Sequence, residues 1–209
     1  MDVEVLHRHV MPHPAVNGGR VARTREAIVG SALALAEAGE VAPIVRDIAK
    51  MAGVSARTVF QHFADTAELY VAVLSRVLAS QYGGLPEPGE TLALDGRIRL
   101  VVDRGADCNE RLLPMWTFVE TLQRRSTPAA DMIAQVYAAN HANLLMCFDR
   151  ELAGLNSEQR ERTLTALAVA LAPESWVVLR QRLDLPVDRA REELRFVVAA
   201  VIAGGATRR

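Results

Sequence analysis

Three side chains of different chemistry lie close together in the segment from Ser55 to His62. Arg57 provides a guanidinium group, Thr58 a hydroxyl group and Gln61 a carboxamide. A guanidinium can donate to O6 and N7 of guanine, a carboxamide can read adenine, and a hydroxyl suits a phosphate or a base. These residue types in one short segment indicate contact with base edges rather than covalent catalysis.

The residues before this segment predict how it is positioned. Residues 46–63 read RDIAKMAGVSARTVFQHF, two short amphipathic runs joined by Gly53-Val54-Ser55. Gly53 can adopt the positive φ of a sharp turn, and Ala49 is small enough for a second helix to approach closely. We therefore predict a helix-turn-helix, with Ser55 capping its second helix.

The second helix has a packed face and a face left over. Val59 and Phe63 are predicted to anchor it to the core. The remaining side chains, which a recognition helix would turn towards a major groove, are Ala56, Arg57, Thr58, Phe60, Gln61 and His62. A core helix hairpin is the alternative, but it would leave this face unused.

Residues 24–74 closely resemble the N-terminal DNA-binding domain of the TetR family of bacterial regulators. They run from TREAIVGSALALAEAGE through RDIAKMAGVS and an aromatic residue before HF to an acidic-leucine start of the fourth helix. The resemblance implies that Arg46 begins the helix that crosses the DNA backbone and that His62 lies beside a phosphate. The DNA-contacting set it implies is Arg46, Ser55, Ala56, Arg57, Thr58, Phe60, Gln61 and His62.

The chain departs from the family pattern at three positions. Phe60 stands where a tyrosine is frequent, Ile44 where a capping threonine is frequent, and Thr66 where a lysine is frequent. Each difference removes a contact that positions the DNA backbone rather than one that reads a base. DNA affinity is then weaker, or Arg20, Arg23 and Arg25 compensate as an arm along the groove or backbone. The alternative for these arginines is a solvated stretch beside the first helix.

Family members are typically homodimers whose C-terminal domain binds a small molecule that releases DNA, so the resemblance implies an effector pocket. Methionine and aromatic residues with a few polar groups concentrate in the middle of the chain, as an apolar ligand would require. The candidate pocket residues are Met115, Trp116, Val119, Glu120, Gln123, Met132, Tyr137, Asn140, His141 and Leu144. For any one of them, core packing is the competing interpretation.

The last two predicted helices are the candidates for a dimer interface. Their apolar stripes consist of Leu164, Leu167, Ala168 and Leu171 in one helix, and of Leu194, Val197, Val198 and Val201 in the other. Paired with their symmetry mates they would form a four-helix interface. The alternative is that both stripes are buried within one chain.

Composition adds few constraints. The formal net charge of −1 means that a nucleic-acid site must be a local patch. Cys108 and Cys147 lack metal-ligand spacing, and no motif of a nucleophile, metal or phosphate site is present. We therefore expect no enzyme activity, no cofactor and no metal; a metal site at His7, His9 and His13 is the weaker alternative to a histidine-bearing tail. The absence of a long apolar run or a secretory leader predicts a cytoplasmic protein.

Hydrophobic periodicity predicts an all-α fold of about nine helices. Thr24 is predicted to cap the first helix and Ser157 the helix EQRERTLTALAVALAPESWVVLRQRL, and Gly204 and Gly205 are predicted to end the last helix. The Pro- and Gly-containing start and the segment 83–94, GGLPEPGETLAL, mark an arm and a connection. We predict an arm over residues 1–20, a helix-turn-helix domain over 21–66, and a ligand-binding and dimerisation domain over 67–209. The predicted function is a ligand-responsive regulator, most simply a repressor, of a palindromic double-stranded operator; a helical protein-interaction module without DNA binding is the alternative.

Overall fold

The computed structural model describes residues 19–40, 42–82 and 92–207, and within these ranges the chain contains helices, turns and bends but no strand. The predicted all-α class is confirmed. Most of the predicted arm, its three histidines and residues 83–91 of the predicted connection lie outside the described residues.

The first four helices are α1 (Arg20–Glu37), α2 (Val45–Met51), α3 (Ala56–His62) and α4 (Thr66–Tyr82). After the gap follow α5 (Leu94–Leu112), a 3-10 turn (Leu113–Met115), α6 (Trp116–Arg125) and α7 (Thr127–Cys147). The chain then forms α8 (Asp149–Leu152), α9 (Ser157–Ala170), α10 (Pro173–Val177), a π-helical turn (Val178–Arg182) and α11 (Val187–Thr207).

The described residues divide into two compact units. The first comprises the residues up to 82 together with 114–135, and the second comprises 92–113 with 136–207. In the first unit α1 packs against α2, α3 and α4. Ile28 of α1, Ile48 of α2 and Leu69 of α4 are fully buried there. Because α4 shares this core, it belongs to the same unit as the helices before it, although we predicted a domain boundary at residue 66. The predicted domain limits stay a prediction.

The second unit is built on α11, which packs against both α5 and α9. Leu164 and Leu167 of α9 and Leu194 and Val198 of α11 are buried in its core. Much of the apolar stripe that we assigned to a dimer interface therefore packs inside one chain. The large apolar side chains that these helices leave exposed are Val169, Phe196 and Val197.

A polar cluster joins α5 to the π-helical turn. Both oxygens of Glu110 accept hydrogen bonds from Arg180, at 3.0 Å each, and Oε2 also accepts one from Trp176 Nε1 at 2.7 Å. Trp176 is completely buried, so its indole N–H needs this partner. The Arg180 guanidinium lowers the pKa of Glu110, and the Trp176 hydrogen bond adds to this against the opposing effect of burial.

A second ion pair joins α5 to the end of α7 and to α8. Arg97, only 6% exposed, donates to both oxygens of Glu151, at 2.8 and 2.5 Å, and to the carbonyl oxygen of Cys147 at 2.7 Å. The pKa of Glu151 is lowered, chiefly by the hydrogen bonds from Arg97. Bidentate geometry is what makes a largely buried charge tolerable at this position.

Several predicted helix limits are wrong. Helix α1 begins at Arg20 after Gly19, so Thr24 does not cap it; the Thr24 hydroxyl instead donates to the carbonyl oxygen of Arg20. Asn156, not Ser157, caps α9, in a reciprocal capping box with Gln159. Gly204 and Gly205 lie inside α11 rather than ending it, because no residue there adopts a left-handed conformation. The helix predicted to start at Ser157 is broken before Pro173, which begins α10.

Candidate nucleic-acid interface

The turn between α2 and α3 is closed by the backbone of Gly53. Its φ is +67°, in the left-handed region that disfavours side chains. The Gly53 N–H donates to the Lys50 carbonyl at 3.3 Å, and the Val54 N–H donates to the Ala49 carbonyl at 3.0 Å. This pair of bonds is a Schellman motif, which satisfies the last carbonyls of α2 and ends it abruptly. The predicted glycine-centred turn is confirmed.

Ser55 begins α3 as predicted. Its backbone is extended and its side-chain oxygen accepts a hydrogen bond from the Thr58 N–H at 3.0 Å. The Ser55 and Thr58 hydroxyls are also 2.9 Å apart. Ser55 and Thr58 therefore use part of their hydrogen-bonding capacity to fix the start of the helix, while both hydroxyls retain accepting lone pairs.

The side chains of α3 separate into two faces. Val59 and the following Phe63 are each 1% exposed, as predicted for core anchors. Arg57, Phe60, Gln61 and Ala56 are exposed, whereas Thr58 and His62 are half-buried. The hypothesis that this exposed face contacts DNA stays a prediction, but its geometry leaves the face free to do so.

Helix α2 presents Arg46 near its start. Arg46 is exposed, and its Nε donates to Asp47 at 3.2 Å. An exposed pair of this kind is weak and leaves the guanidinium able to change partner. Ile44 occupies the cap position of α2 without any side-chain cap, and 51% of its surface is exposed. A threonine, which is frequent in the family at this position, could accept a hydrogen bond from the first N–H groups of α2. Ile44 has no side-chain acceptor, so α2 lacks this cap.

Arg25 has a structural role that the sequence did not predict. Its guanidinium carbon lies 4.4 Å from the centroid of the Phe63 ring, and its Nη2 lies 3.9 Å from Glu68. Arg25 thereby holds α1 against the end of α3 and the start of α4 through a cation–π contact. Arg20, Arg23 and Arg25 all lie on α1. Their contact with the groove or backbone of DNA stays a prediction. Phe63 is 38 positions from Arg25 in the sequence, and no local pattern predicts that the two side chains pair.

The start of α4 is tied to the end of α3 by a reciprocal cap. Asp65 accepts from the Glu68 N–H at 2.8 Å, and Glu68 accepts from the Ala64 N–H at 2.7 Å. Acidic groups are stabilising at this end of a helix. Thr66, the third departure from the family pattern, is the exposed first residue of α4.

Tyr70 of α4 connects two other parts of the first unit. Its hydroxyl donates a hydrogen bond to the carbonyl oxygen of Pro43, just before α2, and its ring meets Phe118 of α6 edge-on at 5.5 Å. Burial raises the pKa of Tyr70, so the hydroxyl keeps its proton and remains a donor. One side chain thus joins α4, α6 and the loop that leads into the helix-turn-helix.

The ten predicted pocket residues are divided between the two units. Six of them lie in the first unit and four in the second: Met115, Trp116, Val119, Glu120, Gln123 and Met132, then Tyr137, Asn140, His141 and Leu144. Met115, Val119 and Leu144 are buried, while Gln123, Tyr137 and His141 are exposed. The Tyr137 hydroxyl donates to Glu174. Their role in binding a ligand stays a prediction.

A cavity of about 170 Å³ lies within the first unit, and none of the ten predicted pocket residues lines it. Its walls come from the start of α4, the end of α6 and the loop before α2. Its lining includes Ala42, Ala67, Tyr70, Phe118, Thr121, Leu122 and Arg125. The periodicity of α6 identifies Phe118 and Leu122 as inward-facing, but it does not reveal the space beside them.

Within the described ranges no group of three or more histidine, cysteine, aspartate or glutamate residues could hold a metal ion. In the same ranges no single helix is long and apolar enough to cross a membrane; the bent pair Ser157–Ala170 and Pro173–Arg182 passes that test only when taken together.

The sequence model of bacterial regulatory proteins of the tetR family matches residues 28–73, which contain α2, α3 and the Gly53 turn. The comparison with curated proteins gives no match.

Solved structures share the fold over most of the chain. A tetR-family transcriptional regulator from Streptomyces coelicolor is 21% identical with a TM-score of 0.73, over 88% of this chain and 85% of that one. The multidrug binding protein EbrR, complexed with imidazole, is 18% identical with a TM-score of 0.65, over 91% and 96%. MexZ, a repressor responsible for antibiotic resistance in Pseudomonas aeruginosa, is 19% identical with a TM-score of 0.59, over 86% and 94%. At these identities the likeness shows the fold alone.

Proposed function

We propose, from the premise that residues 28–73 match the sequence model of tetR-family bacterial regulatory proteins, that this chain is a sequence-specific DNA-binding transcriptional regulator. The observation that carries the proposal is the division of α3 into a buried anchor and a free face. Val59 and Phe63 are buried, while Arg57 and Gln61 are exposed. Arg57 would read guanine and Gln61 adenine in the major groove.

The remaining contacts of the proposed interface fix its position on DNA. Arg46, Ser55, Thr58 and His62 surround the reading face and would bind the phosphate backbone. Contacts of this type neutralise phosphates and release counterions, so binding would weaken as salt is raised.

The proposal is tested by a fluorescence titration of the full chain with pools of duplex DNA. We expect one enriched sequence, with log K falling steeply and linearly against log salt, by about 0.9 for each phosphate neutralised. Absence of binding at low salt would overturn the proposal, as would equal affinity for every duplex.

A homodimer is part of the same proposal, because two recognition helices about 34 Å apart would read a palindromic operator. Helices α9 and α11 would supply the surface: Val169 of α9 is 64% exposed and Phe196 of α11 is 71% exposed. Most residues of the predicted apolar stripes are buried within the chain. The exposed side chains are therefore the ones that a second copy would cover. Sedimentation of the wild type and of Phe196→Ser tests this; a dimer unaffected by the change would place its interface elsewhere.

We also propose that the chain is a repressor and that a small apolar or amphipathic effector releases it from its operator. EbrR and MexZ, which have this fold, are a multidrug binding protein and a repressor. An effector releases DNA only if it prefers a conformation with a different helix separation. DNA affinity that stays unchanged at saturating effector would refute this part.

A protein-interaction module is the second candidate, favoured by one observation. Ile44, Met51 and Phe60 are apolar, and each is more than half exposed on the helix-turn-helix. Exposed apolar side chains of this kind can contact a protein partner as readily as they can contact DNA. The same titration separates the two, because a module of this kind shows no sequence-dependent binding at low salt.

A further inference from the structure

The cavity beside Tyr70 has the size of one aromatic ring. Its volume is about 170 Å³. An enclosed apolar cavity of about 150 Å³ accepts a benzene molecule, so this partly open space has room for a single ring.

The walls of the cavity are apolar where they are deepest. Phe118 is 3% exposed and Leu122 is 5% exposed, and both lie on α6. The Tyr70 ring, held edge-on against Phe118, and the Ala67 methyl group of α4 complete this side. A planar ring could stack or pack edge-on against these aromatic groups, which is the favoured geometry of aromatic pairs.

The rim of the cavity carries a positive charge. Arg125 lines it and is exposed, and no residue in the described parts of the chain forms an ion pair with its guanidinium. The hydroxyl-bearing Thr121 lies one turn earlier on the same helix. An unpaired guanidinium beside an apolar pocket is suited to a carboxylate, which it can bind with two parallel hydrogen bonds.

From these features we propose that the cavity between α4 and α6 binds a small aromatic carboxylate, with its ring against Phe118, Leu122 and Tyr70 and its carboxylate on Arg125. The site is separate from the ten residues predicted as a pocket. It names an effector class and a location for the regulator proposed above, and only its regulatory consequence rests on that proposed function.

The position of the cavity gives binding a route to the helix-turn-helix. Ala42 of the loop before α2 lines the cavity, and Tyr70 bonds the carbonyl oxygen of its neighbour Pro43. A ring that moves Tyr70 changes this hydrogen bond and therefore the support of the segment from which α2 begins. The ligand shifts the conformation only by the difference of its affinities for the two arrangements.

Binding is tested by calorimetric titration of the full-length protein with sodium benzoate. We expect saturable binding, weakened by more than about tenfold in Arg125→Gln. The matched control is Arg124→Gln, because Arg124 is the neighbouring exposed arginine and does not line the cavity; it should keep the wild-type affinity within about twofold. Ala67→Leu, which fills the cavity from an exposed helix position, should abolish binding while leaving the circular dichroism spectrum of the folded protein.

Two probes separate ring from charge. Acetate has the carboxylate without the ring, and benzyl alcohol has the ring without the charge; both should bind more than about tenfold less tightly than benzoate. The inference is overturned if benzoate does not bind at about 10 mM, or if Arg125→Gln and Ala67→Leu bind it as the wild type does.

The two proposals fail separately. Benzoate binding without any DNA binding would refute the proposed regulatory function but not the proposed carboxylate site. Sequence-specific DNA binding without benzoate binding would refute the proposed carboxylate site but not the proposed regulatory function.

Discussion

The Tyr70 hydroxyl on α4 donates a hydrogen bond to the carbonyl oxygen of Pro43, the residue before the cap of α2. Pro43 is buried, so its carbonyl oxygen has little access to water. A helix that is long and well packed thereby supports a helix of only seven residues, which is too short to be stable alone.

The substitution Tyr70→Phe removes this hydrogen bond and keeps the ring on Phe118. We expect the free energy of unfolding of the first unit to fall by about 0.5–1.5 kcal/mol, since a buried carbonyl loses its partner. Amide hydrogen exchange measures the effect where it arises: the N–H groups of α2 should exchange faster, and those of α9 should be unchanged. Tyr137→Phe, which removes an exposed hydroxyl from the second unit, is the control. Equal protection of the α2 amides from exchange in wild type and in Tyr70→Phe would show that the hydrogen bond does not stabilise α2.

The substitution Arg57→Ala removes the most specific base contact that we propose. It should cost about 1–3 kcal/mol of DNA-binding free energy and relax selectivity at one base position. Competition titrations with a duplex series varied at each position measure both effects. Arg182→Ala, an exposed arginine of the second unit, should leave affinity and selectivity intact. A uniform loss over all sequences would instead assign Arg57 to a phosphate.

The substitution Phe60→Tyr restores the hydroxyl that the family pattern contains at this position. Because Phe60 is half exposed on α3, the added group can reach a phosphate without disturbing the core. We expect DNA binding to tighten by about 0.5–1.5 kcal/mol, the contribution of one hydrogen bond. Val178→Thr adds a hydroxyl to an exposed apolar side chain of the second unit that lies outside the proposed dimer surface, and it should not change the affinity for DNA. Weaker binding in Phe60→Tyr would mean that the bare ring itself makes the contact.

The substitution Glu110→Gln tests the polar cluster around Trp176. The pKa of Glu110 is lowered in the folded protein, so its ionised form stabilises the fold above its unfolded pKa of about 4.3, and this stabilisation is lost as pH falls through the folded pKa. We therefore expect Glu110→Gln to lower the free energy of unfolding by about 1–3 kcal/mol at neutral pH, with the difference shrinking below about pH 4.

Urea unfolding between pH 3 and pH 7 measures this dependence. Glu161→Gln, at an exposed position of α9, should follow the wild-type curve at every pH. A Glu110→Gln deficit that stayed constant across the range would show that packing, and not the charge, carries the effect.

Local features of the helix-turn-helix were predictable because local forces produce them. Gly53 adopts its positive φ within a motif formed by consecutive residues, and Ser55 caps a helix through a hydrogen bond three residues away. The burial of Val59 and Phe63 follows from helical spacing. The free face of α3 was predicted by the same means, and its DNA contacts remain to be measured.

The errors arose where more than one residue could satisfy the same local rule. Asn156 and Ser157 are both good caps, and the reciprocal bond with Gln159 decides for Asn156. Gly204 and Gly205 can end a helix but need not, since helical φ and ψ are also open to glycine. Their place within α11 reflects continued packing of that helix, where Gly205 lies close to Thr163 of α9.

The sequence by itself determined the all-α class, the glycine turn and the two faces of α3, because helical periodicity and turn chemistry act over a few residues. Only the tertiary structure decided what each apolar stripe packs against, since periodicity says that a face is buried but not by which partner. In the tertiary structure the stripes of α9 and α11 pack into an internal core, Arg25 lies over Phe63, and Tyr70, which lines a cavity, contacts both Phe118 and Pro43. These contacts join residues 27 to 48 positions apart in the first unit, and such pairings are selected by the packing of the whole unit.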